Sequence, residues 1–412
     1  MNHRFVPLAG PVLIACLAMG SAQERSASSW TSAVDALPSP AGANSAQPQL
    51  SSSARGVILS WVERDGDNAA LRFAERTATG WSAPRTVASG RDWFVNWADV
   101  PSVVRLANDT LVGHWLQKSG SDPYAYDVRL SHSKDDGKTW SPSFLPHSDA
   151  TKTEHGFASL FQMPGSGLGL VWLDGRAMKP PAGHGAHDEP SGPMSVRFAA
   201  FDGNWKQTAE TAVASRVCEC CPTTAAVTSD GPIVAFRNRT EDEVRDIYVS
   251  RLENGKWTEP KPVHEDGWKI NACPVNGPML SARGRDVVLA WFNAKDDQGR
   301  AFVAFSRDAG RSFGAPIRLD DTGALGRVDV ELAADGSAIA SWIEFADQRA
   351  QFRVRRIERS GARSQSVTVS SLSGSRASGY PRIAVSGEDV VFAWTENAQS
   401  GSRVQTAAAR LR

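Results

Sequence analysis

Ile58-Leu59-Ser60-Trp61, a short apolar run ending on a ring, decides the fold because the chain repeats it. The phrase returns as Leu111-Val112-Gly113-His114-Trp115, Leu170-Val171-Trp172 and Ile233-Val234-Ala235-Phe236. It returns again as Val288-Leu289-Ala290-Trp291, Ile339-Ala340-Ser341-Trp342 and Val391-Phe392-Ala393-Trp394. Successive rings lie 51 to 64 residues apart. Each interval divides into four strand-like pieces: a leading strand such as 101–106, the ring-bearing strand, a third such as 128–133, and an outer piece after a turn. A period of this size with four strands per unit is the mark of a β-propeller. The expected fold is therefore all-β, a single propeller of four-stranded blades, with seven blades favoured and six the fallback if two repeats merge.

The last repeat runs out after three strands, at Arg412. Ser29-Trp30-Thr31-Ser32-Ala33-Val34 resembles the other outer strands, and is expected to close the ring and leave no free sheet edge. The propeller is expected to span 48–412, preceded by a Ser/Ala/Pro-rich tether over 23–47. Residues 1–22 read as a signal peptide: a basic start, then an apolar stretch too short to span a bilayer. Two processing readings stand side by side. Leu13-Ile14-Ala15-Cys16 fits a lipobox that would make Cys16 a lipid anchor, and Gly20-Ser21-Ala22 fits an ordinary cleavage site. The expected location is outside the cytoplasm: periplasm, outer-membrane lipoprotein, or secreted.

Composition narrows the partners. The 412 residues carry 45 Lys+Arg against 45 Asp+Glu, so nothing suggests nucleic acid or an anionic membrane. A glycan or an envelope protein is the expected partner, with a membrane reached only through lipid on Cys16, and a monomer is expected.

Two turns are more specific. Ser133-Lys134-Asp135-Asp136-Gly137-Lys138-Thr139-Trp140 fits the Asp-box pattern Ser-x-Asp-x-Gly-x-Thr-Trp, and Ser306-Arg307-Asp308-Ala309-Gly310-Arg311-Ser312-Phe313 is a second copy ending in Phe. Asp and Ser can bond the amides of their own turn, and Gly supplies a positive φ. Both octamers sit between the third and fourth strands of their repeats. With the repeat layout, they resemble the sialidase and BNR-repeat family, whose Asp-boxes are structural hairpins remote from the catalytic pocket. That resemblance implies a sialidase-like propeller. Sialidases of the family carry Phe/Tyr-Arg-Ile-Pro early in the propeller, an arginine triad and a Tyr/Glu pair. Here Tyr380-Pro381-Arg382-Ile383 is out of order and in the last repeat, and the chain has four tyrosines.

Propeller topology sorts the remaining candidates. Loops from one blade to the next share a face with those joining second and third strands, and the Asp-boxes lie on the opposite face. Cys218, Cys220, Cys221 and Cys273 fall in two adjacent inter-blade loops on that first face. Four thiols suit two disulfides in an oxidising compartment, or a thiolate site for copper or zinc. His184 and His187, in the insertion 174–194, and His155 approach the same region by topology. The hairpin 237–246 holds three arginines and four acids. With Asp174 and Arg176, its Arg237, Glu241 and Arg245 could bind a carboxylate or sugar and supply acid/base chemistry. The positions two after each ring, Glu63, Gln117, Asp174, Asn238, Asn293, Glu344 and Glu396, are all polar, and strand exit into water explains that simply. Trp93, Phe94, Trp97 and Trp268 on this face could stack on sugars or seal blade interfaces.

Three functions follow. The preferred one is an exported module that binds a glycan or a protein and requires no cofactor. The alternatives are a glycoside hydrolase using Asp174, Arg176, Arg237, Glu241 and Arg245, and a copper- or zinc-binding protein using the four cysteines with His184 and His187. The set formed by the Cys-x-Cys-Cys loop, the Arg-Asn-Arg hairpin and Cys-Pro-Val-Asn-Gly-Pro looks like a group of exported bacterial sialidase-like proteins, and that resemblance implies no mechanism.

Overall fold

The computed structural model describes Met1 and residues 30–178, 192–399 and 401–412. Seven antiparallel sheets follow one another along the chain, one per repeat. The blades occupy 45–90, 102–144, 155–214, 224–262, 279–318, 324–372, and 382–410 together with 35–37. In blade two the outer position shrinks to a single bridge, Leu130 to Phe144. Pro142 and Pro146 flank it, and neither has the N–H that a longer ladder requires.

The repeated rings do what their spacing implies. Trp61, Trp172, Trp291, Trp342 and Phe236 are fully buried on the second strands, and Trp115 and Trp394 nearly so. The apolar clusters they join lie between blades, not within them: Trp342 of blade six packs with Val288 and Ala290 of blade five. A strand face cannot be buried by one sheet alone, so each blade depends on its neighbour.

Side-chain to main-chain hydrogen bonds tie the blades together around the whole ring. Ser60 accepts from Val103 N at 3.2 Å, Asp99 from Phe157 N at 2.7 Å, and Thr223 donates to Phe157 O at 2.7 Å. Thr224 accepts from Leu280 N at 3.2 Å, Ser281 from Leu332 N at 3.0 Å, and Asp329 from Ile383 N at 2.9 Å. Ser45 of blade one accepts from Val404 N of blade seven at 2.9 Å, completing the circle.

Several expectations change here. Glu63, Asp174 and Glu344 are not strand exits into water: each accepts the indole N–H of the tryptophan two residues before it, at 2.8 to 2.9 Å. A buried indole needs such an acceptor, and the polar residues at these positions supply it. The segment 30–47 is not a tether either. Ala41 and Gln47 are buried, and blade one begins at Ser45. The ring closes through Asp35–Leu37, paired with Ala408 to Thr406, whereas 29–34 was the expected strand. Of that stretch, Thr31 bridges Leu411 and Trp30 sinks among Phe352, Phe392 and Trp394. Residues 2–22 of the expected signal peptide, Cys16 among them, lie outside the described residues.

Both Asp-boxes form the same knot. Asp135 accepts from the Ser133 and Thr139 hydroxyls at 2.7 Å and from Thr139 N at 3.0 Å. Asp308 repeats this with Ser306 and Ser312. These bonds hold both carboxyls below the usual carboxylate range.

If residues 30–37 belong to the fold, Trp30→Ala should lower unfolding stability by about 3 kcal/mol, measured by urea denaturation of the mature protein. A tether residue would give no change.

Candidate functional site

The two cysteine loops meet on the inter-blade loop face. The first, 215–223, is held by Cys218 N donating to Arg237 O at 2.9 Å. The second, 263–278, presses its Gly277 against Pro222 so closely that a Cβ would collide with the Pro222 carbonyl. Only glycine permits that approach, and the approach brings Cys273 to Cys220. Val275, in between, sits at φ 48°, a costly conformation for a β-branched residue. It turns the Val275 N–H to Cys220 and offers its carbonyl to the Tyr380 hydroxyl.

Cys218 and Cys221 form a disulfide, and Cys220 and Cys273 are thiols. The expectation of two staples joining the loops therefore changes: the one bond lies within the first loop. A four-thiolate metal site is likewise not offered while that bond stands. Cys220 Sγ is 3.8 Å from Cys218 Sγ, and the Cys273 thiol is its neighbour across the joint between the loops. The neighbouring Cys220, opposed by burial but helped by Arg245, Arg239 and Arg376, brings the Cys273 thiol down to about 6. The same contact and burial push Cys220 up. His184 and His187 lie outside the described residues.

The five acid/base candidates do not form one centre. Arg237 is buried, with its guanidinium spent on the carbonyls of Asn276, Arg245 and Phe292 at 2.8, 2.5 and 2.6 Å and stacked over Trp268. It clamps the second cysteine loop. Arg245 bonds Cys218 Sγ at 3.4 Å, Glu219 at 3.2 Å and Glu243 at 2.9 Å, and Arg239 pairs with the same two glutamates. Glu241 is exposed on the hairpin, outside this network.

Asp174 and Arg176 belong to a second cluster, between blades two and three. Arg176 donates to both Asp174 oxygens at 2.7 and 2.8 Å. His155, expected near the cysteines, is walled in by Asp127 at 3.3 Å, Asp149 at 3.3 Å and Asp174 at 3.7 Å. Its ring stacks 3.9 Å from that of His147, within 7° of parallel. In-plane lone pairs of parallel rings run side by side, so these two rings do not converge on one ion; between the blades, the carboxylates around His155 form an ionic joint. Burial opposes charge on His155, but the nearby Asp127, Asp149 and Asp174 carboxylates prevail and lift it to about 9. Burial and the neighbouring His155 hold His147 below its ordinary value.

A third feature, which sequence reasoning missed, is a pocket of about 220 Å³ lined by Trp97, Cys273, Asn276, Leu325, Arg327 and Arg376. Trp97 stacks on Tyr380, and the Arg327 guanidinium lies 5.0 Å from the Trp97 ring centre. Arg327 also donates to the carbonyls of Ser375 and Gly379. Among the described residues neither Arg327 nor Arg376 forms an ion pair. Burial, and to a lesser degree the charge of Arg376, hold Arg327 below its usual value. Of the other aromatics, Trp93 stacks on Trp115 and Phe94 on Tyr126, so they seal blades. No sequence period marks Arg327 or Arg376; one sits in a bulge and the other in a Ser-rich loop.

No family model matches the chain, and no curated relative does. Among solved structures, a protein of unknown function from Dyadobacter fermentans is similar at 13% identity and TM-score 0.52, over 92% of this chain and 97% of that one. The polysaccharide lyase Uly1 is similar at 10% and 0.52, over 88% and 89%. The NanB sialidase of Streptococcus pneumoniae reaches 9% and 0.46, over 92% and 94%. At these identities the likeness concerns the fold alone.

His155 gives a pH test of the ionic joint. Its folded pKa is raised, so its contribution is complete below its ordinary 6.5 and fades as pH climbs through about 9. Between pH 6.5 and 9.5, wild type should lose on the order of 3 kcal/mol more unfolding stability than His155→Gln, by denaturant titration. Parallel curves would refute the joint.

Proposed function

We propose that the protein is a binding propeller working outside the cytoplasm, whose loop face takes a carboxylate-bearing glycan in the Trp97–Arg327–Arg376 pocket. The observation that carries this reading is the pair of guanidiniums, Arg327 and Arg376, in one pocket with no carboxylate partner among the described residues. On the neighbouring hairpin, by contrast, Arg239 and Arg245 are matched with Glu219 and Glu243. Two guanidiniums and one thiolate leave the pocket with net positive charge at neutral pH. Guanidinium is the donor best matched to a planar carboxylate.

Binding is favoured over hydrolysis because the Tyr126 hydroxyl that joins Glu154 and Asp99 is wholly buried, and neither acid lines the pocket. Glu154 bonds the Tyr126 hydroxyl at 2.8 Å, and Asp99 bonds it at 3.1 Å. Burial lifts Glu154 to about 7 and Asp99 to about 8. Tyr380 donates its hydroxyl to Val275 O, and burial raises its pKa. The disulfide and the signal-like N-terminus both suit an oxidising compartment.

Titration calorimetry against uronate- and sialate-bearing oligosaccharides tests the reading. Arg376 is exposed, so Arg376→Ala should fold normally and weaken binding of an acidic oligosaccharide by roughly tenfold or more, the worth of a charged hydrogen bond. Neutral oligosaccharides should bind no better to wild type than to the variant. An acidic-glycan affinity indifferent to Arg376, or none for any acidic glycan, sinks the proposal.

A further inference from the structure

The binding reading leaves the two thiols unused, and their arrangement is that of a working pair. Cys273 is exposed at the pocket wall and Cys220 stands behind it, half-covered. The two are neighbours, their loops brought together by the Gly277–Pro222 approach. The Cys218–Cys221 bond closes the turn that contains Cys220. Arg245, with Arg239 and Arg376, supplies positive charge around Cys273. An accessible sulfur in an electropositive setting, with a second thiol in reach, meets the conditions for thiol–disulfide exchange.

We propose that Cys273 and Cys220 form a redox-active dithiol, with Cys273 the attacking and Cys220 the resolving cysteine, which reduces small disulfides that carry carboxylates. The Cys273 thiolate attacks one sulfur of R–S–S–R. That S–S bond breaks, the Cys273–S–S–R mixed disulfide forms, and R–S⁻ leaves. Cys220 then gives its proton to solvent and attacks Cys273 Sγ, so the bond to S–R breaks and a second R–S⁻ departs. The product is a Cys220–Cys273 disulfide. Two electrons pass to the external disulfide, and the two thiol protons balance the two thiols released. The preference for carboxylates rests on the arginine pocket of the binding proposal. The dithiol itself does not.

The probes are dithiobis(nitrobenzoate), which carries two carboxylates, and the neutral dithiodipyridine. They are applied to mature protein with the Cys218–Cys221 bond intact, and the product is read by intact mass and peptide mapping. Wild type should release two equivalents of either chromophore, retain no adduct, lose two hydrogens and yield a Cys220–Cys273 crosslinked peptide. Cys220→Ser should release one equivalent and keep one adduct on Cys273, and Cys273→Ser should lose the fast phase. Adducts retained on both cysteines of wild type, without the crosslink, would falsify the dithiol. Arg376→Ala should slow the anionic probe roughly tenfold more than the neutral one, which loses only what a less ionised Cys273 costs it. Equal slowing of the two probes would remove the carboxylate preference and the pocket reading with it, while the crosslink would still stand.

Discussion

The structure depends on a closed circle of hydrogen bonds that runs from blade to blade. A propeller has no central core; its apolar surface is buried in seven separate inter-blade layers. Apolar packing alone does not fix how far one sheet slides against the next. The bonds from Ser60, Asp99, Thr223, Thr224, Ser281, Asp329 and Ser45 do fix it, because each joins a side chain of one blade, or of the segment leading into it, to a named backbone group of its neighbour. The last of them spans 359 residues of sequence and sits beside the strand pairing that unites the termini. Closure makes every inter-blade loop start from a known place.

That precision matters most where two loops must touch. Cys220 and Cys273 lie 53 residues apart in sequence, on loops leaving different blades. Their contact requires the Gly277 backbone to lie against Pro222, Arg237 to hold three carbonyls, and Val275 to accept a left-handed backbone. A buried arginine bound only to carbonyls is an expensive fastener, since its charge finds no carboxylate within bonding reach. Burial accordingly lowers it to about 10. Such strain persists where the surroundings over-determine it, and here it surrounds the sulfurs.

Sequence reading succeeded where the physics is local and repeated. A buried ring every 51 to 64 residues reports the period directly, and an Asp-box is a turn whose bonds lie within eight residues. Reading weakened where partners come from different blades. Glu63, Asp174 and Glu344 look like surface residues because a carboxylate after an apolar run usually faces water, and the nearby indole N–H cannot be seen in a pattern of polarity. Asp174, Arg237 and Arg245 looked catalytic for the same reason: density of charge along the chain does not show whether the charges are spent on one another. Arg327 and Arg376 carried no signal, since their significance is the partner each lacks.

The same accounting of spent and unspent groups separates scaffold from site. The Asp174–Arg176 pair and the Glu219–Glu243 arginine ring are each internally paired, so a ligand entering them would have to displace bonds already made. The pocket beside Trp97 is different. Its Arg327 guanidinium already touches an aromatic face and backbone carbonyls, and an arriving carboxylate would add charge-assisted bonds while displacing no ion pair among the described residues. Cys273 stands at the same wall, so an anionic ligand drawn to the arginines meets the one exposed thiol among the described residues. Electrostatic attraction and sulfur chemistry thus share a doorway, and the rigidity of the closed ring holds them in register.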